Sequence, residues 1–447
     1  MKTPICDFIN GYAQKDCIRL HMPGHKGKSQ LGFEKFDITE IFGADSLYNA
    51  DGIIRESEEN ASLLFGSGKT LYSTEGSSHC IRAMVYLAKM YGGTDSNYIL
   101  AGRNAHSSFI SACALNGMDV EWIFPKDGQS YLSCVITPEI LEKALGRVDK
   151  KPACVYVTSP DYLGNMCDIS ALSEVCKRYG IPLVVDNAHG AYLKFLKDDL
   201  HPISKGACLC CDSAHKTLPV LTGGAYLHVS KDAPKEFFEG ARDALSLFGS
   251  TSPSYLTLAS LDNANKYISQ VFPKKLDEFL ERTSSLVSSL SCPAVIPCSP
   301  LREPMKIVLE TKKIGHRGRD FAKILEANGI VCEFCDDDYV VLMPSPENGD
   351  EEICNLVKIL SEFEWGEPIL ESSFELVPPR KKMTVREAVY APRERVSVDK
   401  ALGRVLAASS VFCPPAISLI VCGEEFNQST VELCKKYGFD SFWVVKE

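Results

Sequence analysis

The alternation of short apolar segments with helical patterns is the feature of this sequence that most restricts its fold. Apolar residues at helical spacing fill 77–91 and 169–179, and the second pattern stops at Gly180. Four short apolar segments predict buried strands at 97–102, 153–158, 181–186 and 206–211. This order predicts an α/β fold in which helices cover a mainly parallel sheet.

Polar residues follow each predicted strand at once. In a parallel sheet the carboxyl ends of the strands meet at one edge, where ligands bind. We therefore expect polar side chains from four strand ends to point to one rim of the sheet, namely Arg103, Asn104, His106, Ser159, Asp161, Asp186, His189, Ser213, His215 and Lys216.

The chain is long enough for several domains. Residues 1–30 are expected to form an arm, because Pro and Gly in "HMPGHKGK" (21–28) oppose regular structure. A large domain is expected over 31–265, and a helical pattern from about 256 leads into a smaller α/β domain over 266–368. Residues 369–447 are expected to form a C-terminal α+β domain, with a linker "ELVPPRKKM" (375–383) and a helix signal "TVREAVYAP" (384–392).

Composition disfavours several classes of protein. The formal charge is −10 and no long basic run occurs, which argues against nucleic-acid binding. The 19 cysteines are odd in number and often lie in apolar segments, as reduced thiols do in the cytoplasm. The N-terminus lacks a secretory apolar region, and no segment approaches the roughly 18 apolar residues of a membrane helix. We expect a cytoplasmic protein with no membrane or nucleic-acid partner.

The strand-end residues suit one cofactor chemistry. A lysine shielded from water can act as an amine nucleophile toward an aldehyde. Pyridoxal phosphate (PLP), the common aldehyde cofactor, needs a Schiff-base lysine, a carboxylate at the pyridine nitrogen, a flat group over the ring, and hydroxyls with a helix N-terminus at the phosphate. Lys216, Asp186 and His106 are candidates for the first three. Candidates for the phosphate are Ser77, Ser78, Ser213 and His215.

Each of these residues also has a simpler explanation. Lys216 alone is most often a surface lysine, Asp186 could cap a turn, and His106 could be an ordinary loop histidine. The "GSS" before a helix is usually an N-cap. The PLP interpretation therefore depends on all of them falling at the strand ends of one predicted sheet.

Motifs spread along the chain carry a family resemblance. They are "HMPGHK" (21–26), "DITE" to "DSLYNADG" (37–52), "STEGSS" (73–78), "GRNAHSS" (102–108), "TSPDYLGN" (158–165), "VVDNAHGAY" (184–192), "SAHKTLPVLTGGAYLH" (213–228) and the segment 378–407. Together they resemble the Orn/Lys/Arg decarboxylases, fold-type-I PLP enzymes related to aminotransferases, over nearly the whole chain. "HMPGHK" and "SAHKT" are the most specific of them.

The resemblance implies a role for each candidate. Lys216 would form the Schiff base, Asp186 would pair with the pyridine nitrogen, His106 would stack on the ring, and His189 would lie beside it. The phosphate would contact Ser77, Ser78, Ser213 and His215. No metal is expected.

The implied reaction is decarboxylation of lysine, ornithine or arginine to CO₂ and an amine used in polyamine synthesis. The ring would take up the electrons left by CO₂ loss, and Lys216 or a nearby histidine would return a proton to Cα. An acidic side chain should meet the distal cation of the substrate. The candidates, from this chain or from the second subunit of an expected homodimer, are Asp37, Glu40, Asp45 and Asp51.

The chain departs from the family pattern at three places. Asn187 stands where the family often has Glu, and "PPAISLIVCGE" (414–424) lacks the Gly and two prolines of the family's "PPGIPLLVPGE". The N-terminal receiver-like domain of the large members is not expected here, so this is expected to be a small stand-alone member.

Two Cys-x-x-Cys pairs, Cys208/Cys211 and Cys332/Cys335, raise the alternative of a four-thiolate zinc site. Residues three apart on a strand point to opposite faces, and the pairs fall in different expected domains, so we do not expect zinc. The "DDD" at 336–338 is expected to be a solvated turn.

Two other functions remain open at this point. One is another fold-type-I reaction, such as transamination or aldol cleavage, although none of Arg55, Arg82 and Arg103 stands out as a partner for a substrate carboxylate. The other is a degenerate PLP-binding paralogue with a regulatory role, which intact Lys216 and Asp186 disfavour.

Overall fold

The computed structural model describes residues 1–94, 96–125, 130–290, 292–371, 377–408, 410–413 and 416–447, with side chains for all of these except 410–413. Parts of the expected linker (375–376) and of the C-terminal loop (414–415) lie outside the described residues. In the described part, no helix has the length and apolar character needed to cross a membrane.

A seven-stranded sheet forms the centre of the large domain. Its strands are β1 Lys69–Ser73, β2 Tyr98–Gly102, β3 Asp119–Ile123, β4 Val155–Thr158, β5 Leu183–Asp186, β6 Leu209–Asp212 and β7 Ala225–Val229, in the order β1-β7-β6-β5-β4-β2-β3. Only β7 runs against its neighbours, since it pairs antiparallel with both β1 and β6. The expected α/β class with a mainly parallel sheet is therefore confirmed.

Helices cover both faces of this sheet. They are α1 Pro4–Ala13, α2 Ile53–Phe65, α3 Gly76–Gly92, α4 Ser107–Asn116, α5 Pro138–Leu145, α6 Ile169–Tyr179, the one-turn α7 Ala214–Thr217, α8 Lys235–Ser246, α9 Tyr255–Gln270 and α10 Phe272–Ser289. The two predicted helices correspond to α3 and α6, and α6 ends at Gly180, which has a left-handed φ of 61°. Short 3₁₀ turns occupy Leu47–Asn49, Ala191–Phe195 and Pro202–Lys205.

The first half of the expected arm contains helix α1. Helix α1 packs on α2 and α9 with Ile5 and Ile9 buried. The carboxylate of Asp262 on α9 accepts the backbone N–H groups of Ile5 and Cys6, both at 3.0 Å, and so satisfies donors at the helix N-terminus. The "HMPGHKGK" stretch contains neither helix nor strand, as its Pro and Gly predict.

A smaller antiparallel sheet follows α10. Its strands are β8 Ile307–Glu310, β9 Phe334–Cys335 and β10 Tyr339–Leu342 in the order β8-β10-β9. A 3₁₀ turn at Thr311–Ile314 and helix α11 Gly318–Ala327 lie between β8 and β9, and helix α12 Asp350–Glu362 follows β10. The "DDD" does connect β9 to β10, but the expectation of a solvated turn is wrong for Asp336. That carboxylate is buried, accepts the backbone N–H groups of Asp338 and Tyr339, and burial raises its pKa to about 6.

The C-terminal segment contains short paired strands and two helices. The elements are β11 Arg380–Lys381, α13 Val385–Tyr390, β12 Arg393–Ser397, a 3₁₀ turn at Val398–Lys400, β13 Ser410–Cys413, β14 Ile417–Val421, β15 Glu424–Glu425, α14 Gln428–Lys436 and β16 Ser441–Val445. The strands pair as β11 with β15, β12 with β16 and β13 with β14. The proposed domain boundary at 265 falls inside α9, so the boundaries remain a proposal.

A buried ion pair joins the C-terminal segment to the large domain. Arg103, just past β2, lies 2.9 Å from Glu424 and also donates to the carbonyls of Ser418 and Leu419. Both charged side chains are at most 5% exposed. A buried charge is costly without its partner, so this pair favours one docked position of the segment.

Substitution E424Q should destabilise the protein by about 3–5 kcal/mol, because it leaves the Arg103 guanidinium buried without a counter-charge. E425Q is the matched control, since Glu425 forms a partly exposed pair with Lys382 at 3.2 Å and should cost less than about 1 kcal/mol. Denaturant unfolding of both variants measures the difference. Equal stability of E424Q and E425Q would show that the buried pair does not hold the segment.

Candidate active site

The strand ends of the large sheet open onto one cavity of about 390 Å³. This volume lies in the usual range for small-molecule sites. The structure brings all eight predicted site residues to its wall: Ser77, Ser78, His106, Asp186, His189, Ser213, His215 and Lys216.

Three other strand-end residues lie at the rim and do not line the cavity. Arg103 is engaged by the C-terminal segment, as described above. Asp161 is buried and accepts from Ser133 and Asn165, and the hydroxyl of Ser159 accepts the Cys167 N–H at 3.0 Å. Their side chains stabilise loops at the rim. A position at a strand end does not by itself tell whether a side chain stabilises a loop or lines the cavity.

Lys216 lies in the one-turn helix α7, directly after β6. Its Nζ is 3.1 Å from Nε2 of His189. Burial lowers the pKa of Lys216, the charges of Asp186 and Glu333 oppose this, and the cation of Lys306 adds to it. A lysine in this setting holds a larger fraction of nucleophilic free amine at neutral pH than a surface lysine does.

The carboxylate of Asp186 lies at the end of β5, 2% exposed, with three donors around it. The hydroxyl of Tyr156 donates at 3.2 Å, the backbone N–H of Ala188 at 3.1 Å and the thiol of Cys211 at 3.6 Å. These contacts fix the orientation of the carboxylate at the cavity floor, where it can receive a proton-bearing ring nitrogen.

Hydroxyl groups and a helix N-terminus form another part of the cavity wall. Ser213 donates to the hydroxyl of Ser77 at 2.7 Å, and Ser77 and Ser78 lie in the first turn of α3. His215 is held by the carbonyl of Gly224 at 3.0 Å. Free N–H groups at a helix start together with hydroxyls suit a phosphate.

Gly223 allows the chain after Lys216 to pass close to this helix start. Its carbonyl accepts the N–H of Gly76 at 2.7 Å, and its φ is 96°. A β-carbon there would lie 2.6 Å from the carbonyl oxygen of Thr74, so a larger residue would push the two loops apart.

His106 is the N-cap of α4 and is held by its neighbours. Its Nδ1 accepts the backbone N–H of Ser108 at 3.1 Å, and burial lowers its pKa, which favours a neutral flat ring. The C-terminal segment reaches this point, because Ala416 accepts the N–H of Ser107 at 2.9 Å and Ile417 lines the cavity. Ala416, where the family has Gly, adopts a left-handed φ of 64°.

The cavity has unmet polar groups that suit a polar ligand. Among the described residues, the side-chain amide of Asn104 and the hydroxyl of Thr158 are buried without a hydrogen-bond partner, and both residues line the cavity. With an amine, a carboxylate and a hydroxyl-lined helix start on the same wall, the residues fit the functional groups of PLP.

Sequence reasoning missed several residues of this region. Tyr156 was visible only as an apolar strand residue, and Tyr162, Lys306 and Ile417 lie in other loops or later segments whose approach depends on tertiary packing. Lys306 directly precedes β8, where a lone lysine carries no local signal of function.

The four acidic candidates for the substrate cation lie elsewhere in this chain. Asp37 is 3.1 Å from His25, and Asp45 accepts four backbone N–H groups of its own loop at 3.1 Å or less. Glu40, Asp45 and Asp51 line a separate open pocket, and none of the four lines the cavity at Lys216.

Asn187, the departure from the family's Glu, points away from the cavity. Its amide donates to Oδ1 of Asp212 at 2.7 Å, and Oδ2 of Asp212 lies 3.0 Å and 3.1 Å from Nε2 of His201 and His228. Burial alone would raise the pKa of Asp212, but these histidines hold it below its ordinary value. With an amide at position 187, Asp212 is the one carboxylate of this contact. A Glu at position 187 would place a second buried carboxylate next to it.

The cysteine pairs behave differently from each other. Cys211 is buried beside Asp186, and the expectation that both pairs lie within strands is wrong, because Cys208 precedes β6 and Cys332 precedes β9. Cys332 lies outside strand β9 and is not bound by strand geometry. A group that sequence reasoning missed, His201, Cys210 and Asp212, has ligand-type atoms within 4.8 Å of one another, and hydrogen bonds join Asp212 to both partners.

Comparison with known proteins identifies the relatives of the chain. Residues 3–292 match the family described as "Orn/Lys/Arg decarboxylase, major domain", and residues 371–437 match "Orn/Lys/Arg decarboxylase, C-terminal domain". The chain is 29% identical over 468 residues to "Uncharacterized protein YaaO" of Bacillus subtilis (97% of this chain, 93% of the relative). It is 26% identical over 459 residues to the arginine decarboxylase of the same organism (96% and 92%).

The fold also matches a solved structure. The lysine decarboxylase LdcF of Francisella novicida superposes with a TM-score of 0.78 at 18% identity, over 99% of this chain and 81% of that one. This similarity confirms the expected fold.

Substitution N187D should place two carboxylates side by side in a fully buried site. We expect a loss of about 2–4 kcal/mol at pH 7, which shrinks as the pH falls and one carboxyl takes up a proton. The double variant N187D/D212N, which exchanges acid and amide, should recover part of the loss. Thermal unfolding at pH 7 and pH 5 measures both effects, and a single variant as stable as the wild type would contradict the assigned contact.

Proposed function

The chain belongs to the Orn/Lys/Arg decarboxylase family, and from this premise we propose that it uses PLP to decarboxylate a basic amino acid, giving an amine and CO₂. The observation that carries the proposal is the shared cavity. Lys216, Asp186, and the hydroxyls of Ser77 and Ser213 line it together. These are the groups needed to hold an aldehyde, a ring nitrogen and a phosphate.

Each residue has a proposed task. When bound, PLP supplies an aldehyde for amines and an electron-accepting ring. Lys216 would hold the aldehyde, and Asp186, oriented by its donors Tyr156 and Cys211, would keep the ring nitrogen protonated. His106 would cover the ring. The phosphate would be held by Ser77, Ser78, Ser213 and His215.

The proton that replaces CO₂ comes from Lys216 or His189 in this proposal. Their nitrogens are 3.1 Å apart, so a proton can pass between them without a large movement. Burial and the cations of Lys216 and Lys306 hold the pKa of His189 well below its ordinary value, which favours its neutral form.

A carboxylate of the small sheet can meet the distal cation of the substrate. Glu333 accepts the hydroxyl of Tyr162 at 2.9 Å, and Tyr162 lines the cavity and packs edge-on against His189 at 5.0 Å between ring centroids. The Glu333 charge also acts on Lys216. Glu333 is exposed and can reach a cation at the cavity mouth.

A homodimer is the proposed assembly. Apolar side chains in and next to the arm stand in solvent in the single chain, with Ile18 and Leu20 each 88% exposed and Leu31 75% exposed. Covering them with a second copy would remove apolar surface from water.

Transamination is the second candidate, and the arginines disfavour it. That reaction needs a cation for the carboxylates of both amino-acid partners. Arg103 is held by Glu424, and Arg55 lines a different groove. The charge of Arg82 acts on His106, but Arg82 does not line the cavity.

The proposed function predicts a spectral and a chemical result. Protein loaded with PLP should absorb near the visible edge, and K216A should lose this band because the amine is gone. Ornithine, lysine and arginine are then supplied in turn, and CO₂ and amine are measured. At least one should give both products, whereas keto acid without CO₂ would overturn the decarboxylase assignment, and no band in loaded wild type would overturn the cofactor.

Substitution E333Q should raise KM for the preferred basic amino acid by about fivefold to tenfold, with a smaller effect on kcat, because it removes the charge that attracts the distal cation. Glutamine keeps an acceptor for the Tyr162 hydroxyl. E326Q, on an exposed position of α11, is the control. Steady-state kinetics on both variants measures the effect, and an unchanged KM in E333Q would assign the cation to another carboxylate.

A further inference from the structure

His189 lies between two lysines. Its Nε2 is 3.1 Å from Nζ of Lys216, and its Nδ1 is 3.5 Å from Nζ of Lys306. His189 is 6% exposed, and the ring of Tyr162 packs edge-on against its imidazole. The imidazole therefore connects the amine proposed to react with a second, buried amine from the small sheet.

Lys306 is fixed in a charged environment. Its side chain is 1% exposed, and its Nζ lies 3.5 Å from Glu303 and donates to the carbonyl of Asp161 at 3.1 Å. Glu303 is itself held by the hydroxyl of Tyr192 and by the backbone N–H groups of Met305 and Lys306. A buried ammonium with one carboxylate partner and a carbonyl acceptor is firmly placed.

The position of Lys306 determines where His189 carries its proton. An ammonium has only donors, so Nδ1 of His189 must turn a lone pair toward it. The proton of the neutral ring is then on Nε2 and points at Lys216. An N–H pointing at Lys216 is favourable only when that amine has a free lone pair, which is the unprotonated form.

The charge of Lys306 works in the same direction as the proton. It disfavours the cation of Lys216, as burial does, whereas the carboxylates of Asp186 and Glu333 favour that cation. His106 and His215 also face His189 and, with the two lysines, oppose a charge on the imidazole. The distance of 3.5 Å between Nζ of Lys306 and Nδ1 of His189 is longer than a typical hydrogen bond. The charge of Lys306 therefore accounts for much of its influence on where the His189 proton lies.

We propose that Lys306 is a positioning residue that fixes the His189 proton on Nε2 and so keeps Lys216 a free amine, ready to condense with an aldehyde and release water. The inference deepens the proposed function, since it concerns the lysine that would hold PLP. The arrangement itself concerns only the amine and can be tested without the cofactor.

Two variants separate the charge from the hydrogen bond. K306M removes both, and K306Q removes the charge while keeping N–H donors for His189 and Asp161. K197M is the control, because Lys197 forms an exposed pair with Glu281 at 2.8 Å. Near-ultraviolet circular dichroism establishes that each variant is folded, and K306Q keeps the test available if K306M does not fold.

The first measurement is the acetylation rate of Lys216 by acetic anhydride in cofactor-free protein, followed by peptide mass spectrometry from pH 6 to pH 11. The midpoint of the pH profile should rise by about one pH unit in K306M, by an equal or smaller amount in K306Q, and not in K197M. Midpoints in K306M and K306Q that equal the wild type would overturn the proposal, as would an equal rise in K197M.

The second measurement is the rate at which cofactor-free protein takes up PLP, followed by absorbance over the same pH range. Its midpoint should shift with the acetylation profile. Wild-type protein that shows the low acetylation midpoint but takes up no PLP would refute the proposed cofactor and leave the Lys306 arrangement standing. A shift in acetylation without a shift in PLP uptake would refute the part of the proposal that links Lys306 to aldehyde capture.

Discussion

The parallel pairing of β4, β5 and β6 is the constraint on which the site depends. It sets Asp186 beside Thr158 on one side and beside Cys211, one of its donors, on the other. Because β6 then ends directly in α7, Lys216 emerges beside that carboxylate without any long loop. A shift of one residue in either pairing would turn Asp186 to the other face of the sheet and remove it from the cavity.

Buried charged side chains are the second constraint, and each of those named here has an oppositely charged or hydrogen-bonding partner next to it. Glu303 accompanies Lys306, Glu424 accompanies Arg103, and two histidines accompany Asp212. Two of these charged residues also join distant parts of the chain. Arg103 pairs with Glu424 of the C-terminal segment, and Lys306, next to the small sheet, contacts His189. The same interactions that fix the relative positions of these segments therefore also set the electrostatic environment of Lys216.

The sequence predicts the strand ends well because a local pattern determines them. Alternating helices and apolar strands define the sheet, and the polar residues that follow each strand are visible in the chain, which is why Lys216, Asp186 and His106 could be named. The same reasoning fails for Arg103 and Asp161, since a rim residue that binds another segment has the same local pattern as one that lines the cavity. Lys306 and Glu333 could not be found at all, because their approach depends on how the small sheet packs on the large one, and the arm carboxylates were chosen without that information.

The C-terminal segment completes the cavity as well as covering it. Ile417 forms part of the wall, and the backbone of Ala416 accepts a hydrogen bond from the first turn of the helix that His106 caps. Ala416 holds a left-handed conformation that glycine adopts without strain, so the segment keeps this approach even without the family's glycine. A persistent contact at a strained position indicates that the surrounding packing, with the Arg103–Glu424 pair at its centre, is strong enough to enforce it. The position of His106 therefore depends on the docking of the C-terminal segment. A change that loosens the segment should also displace the His106 ring that covers the proposed cofactor.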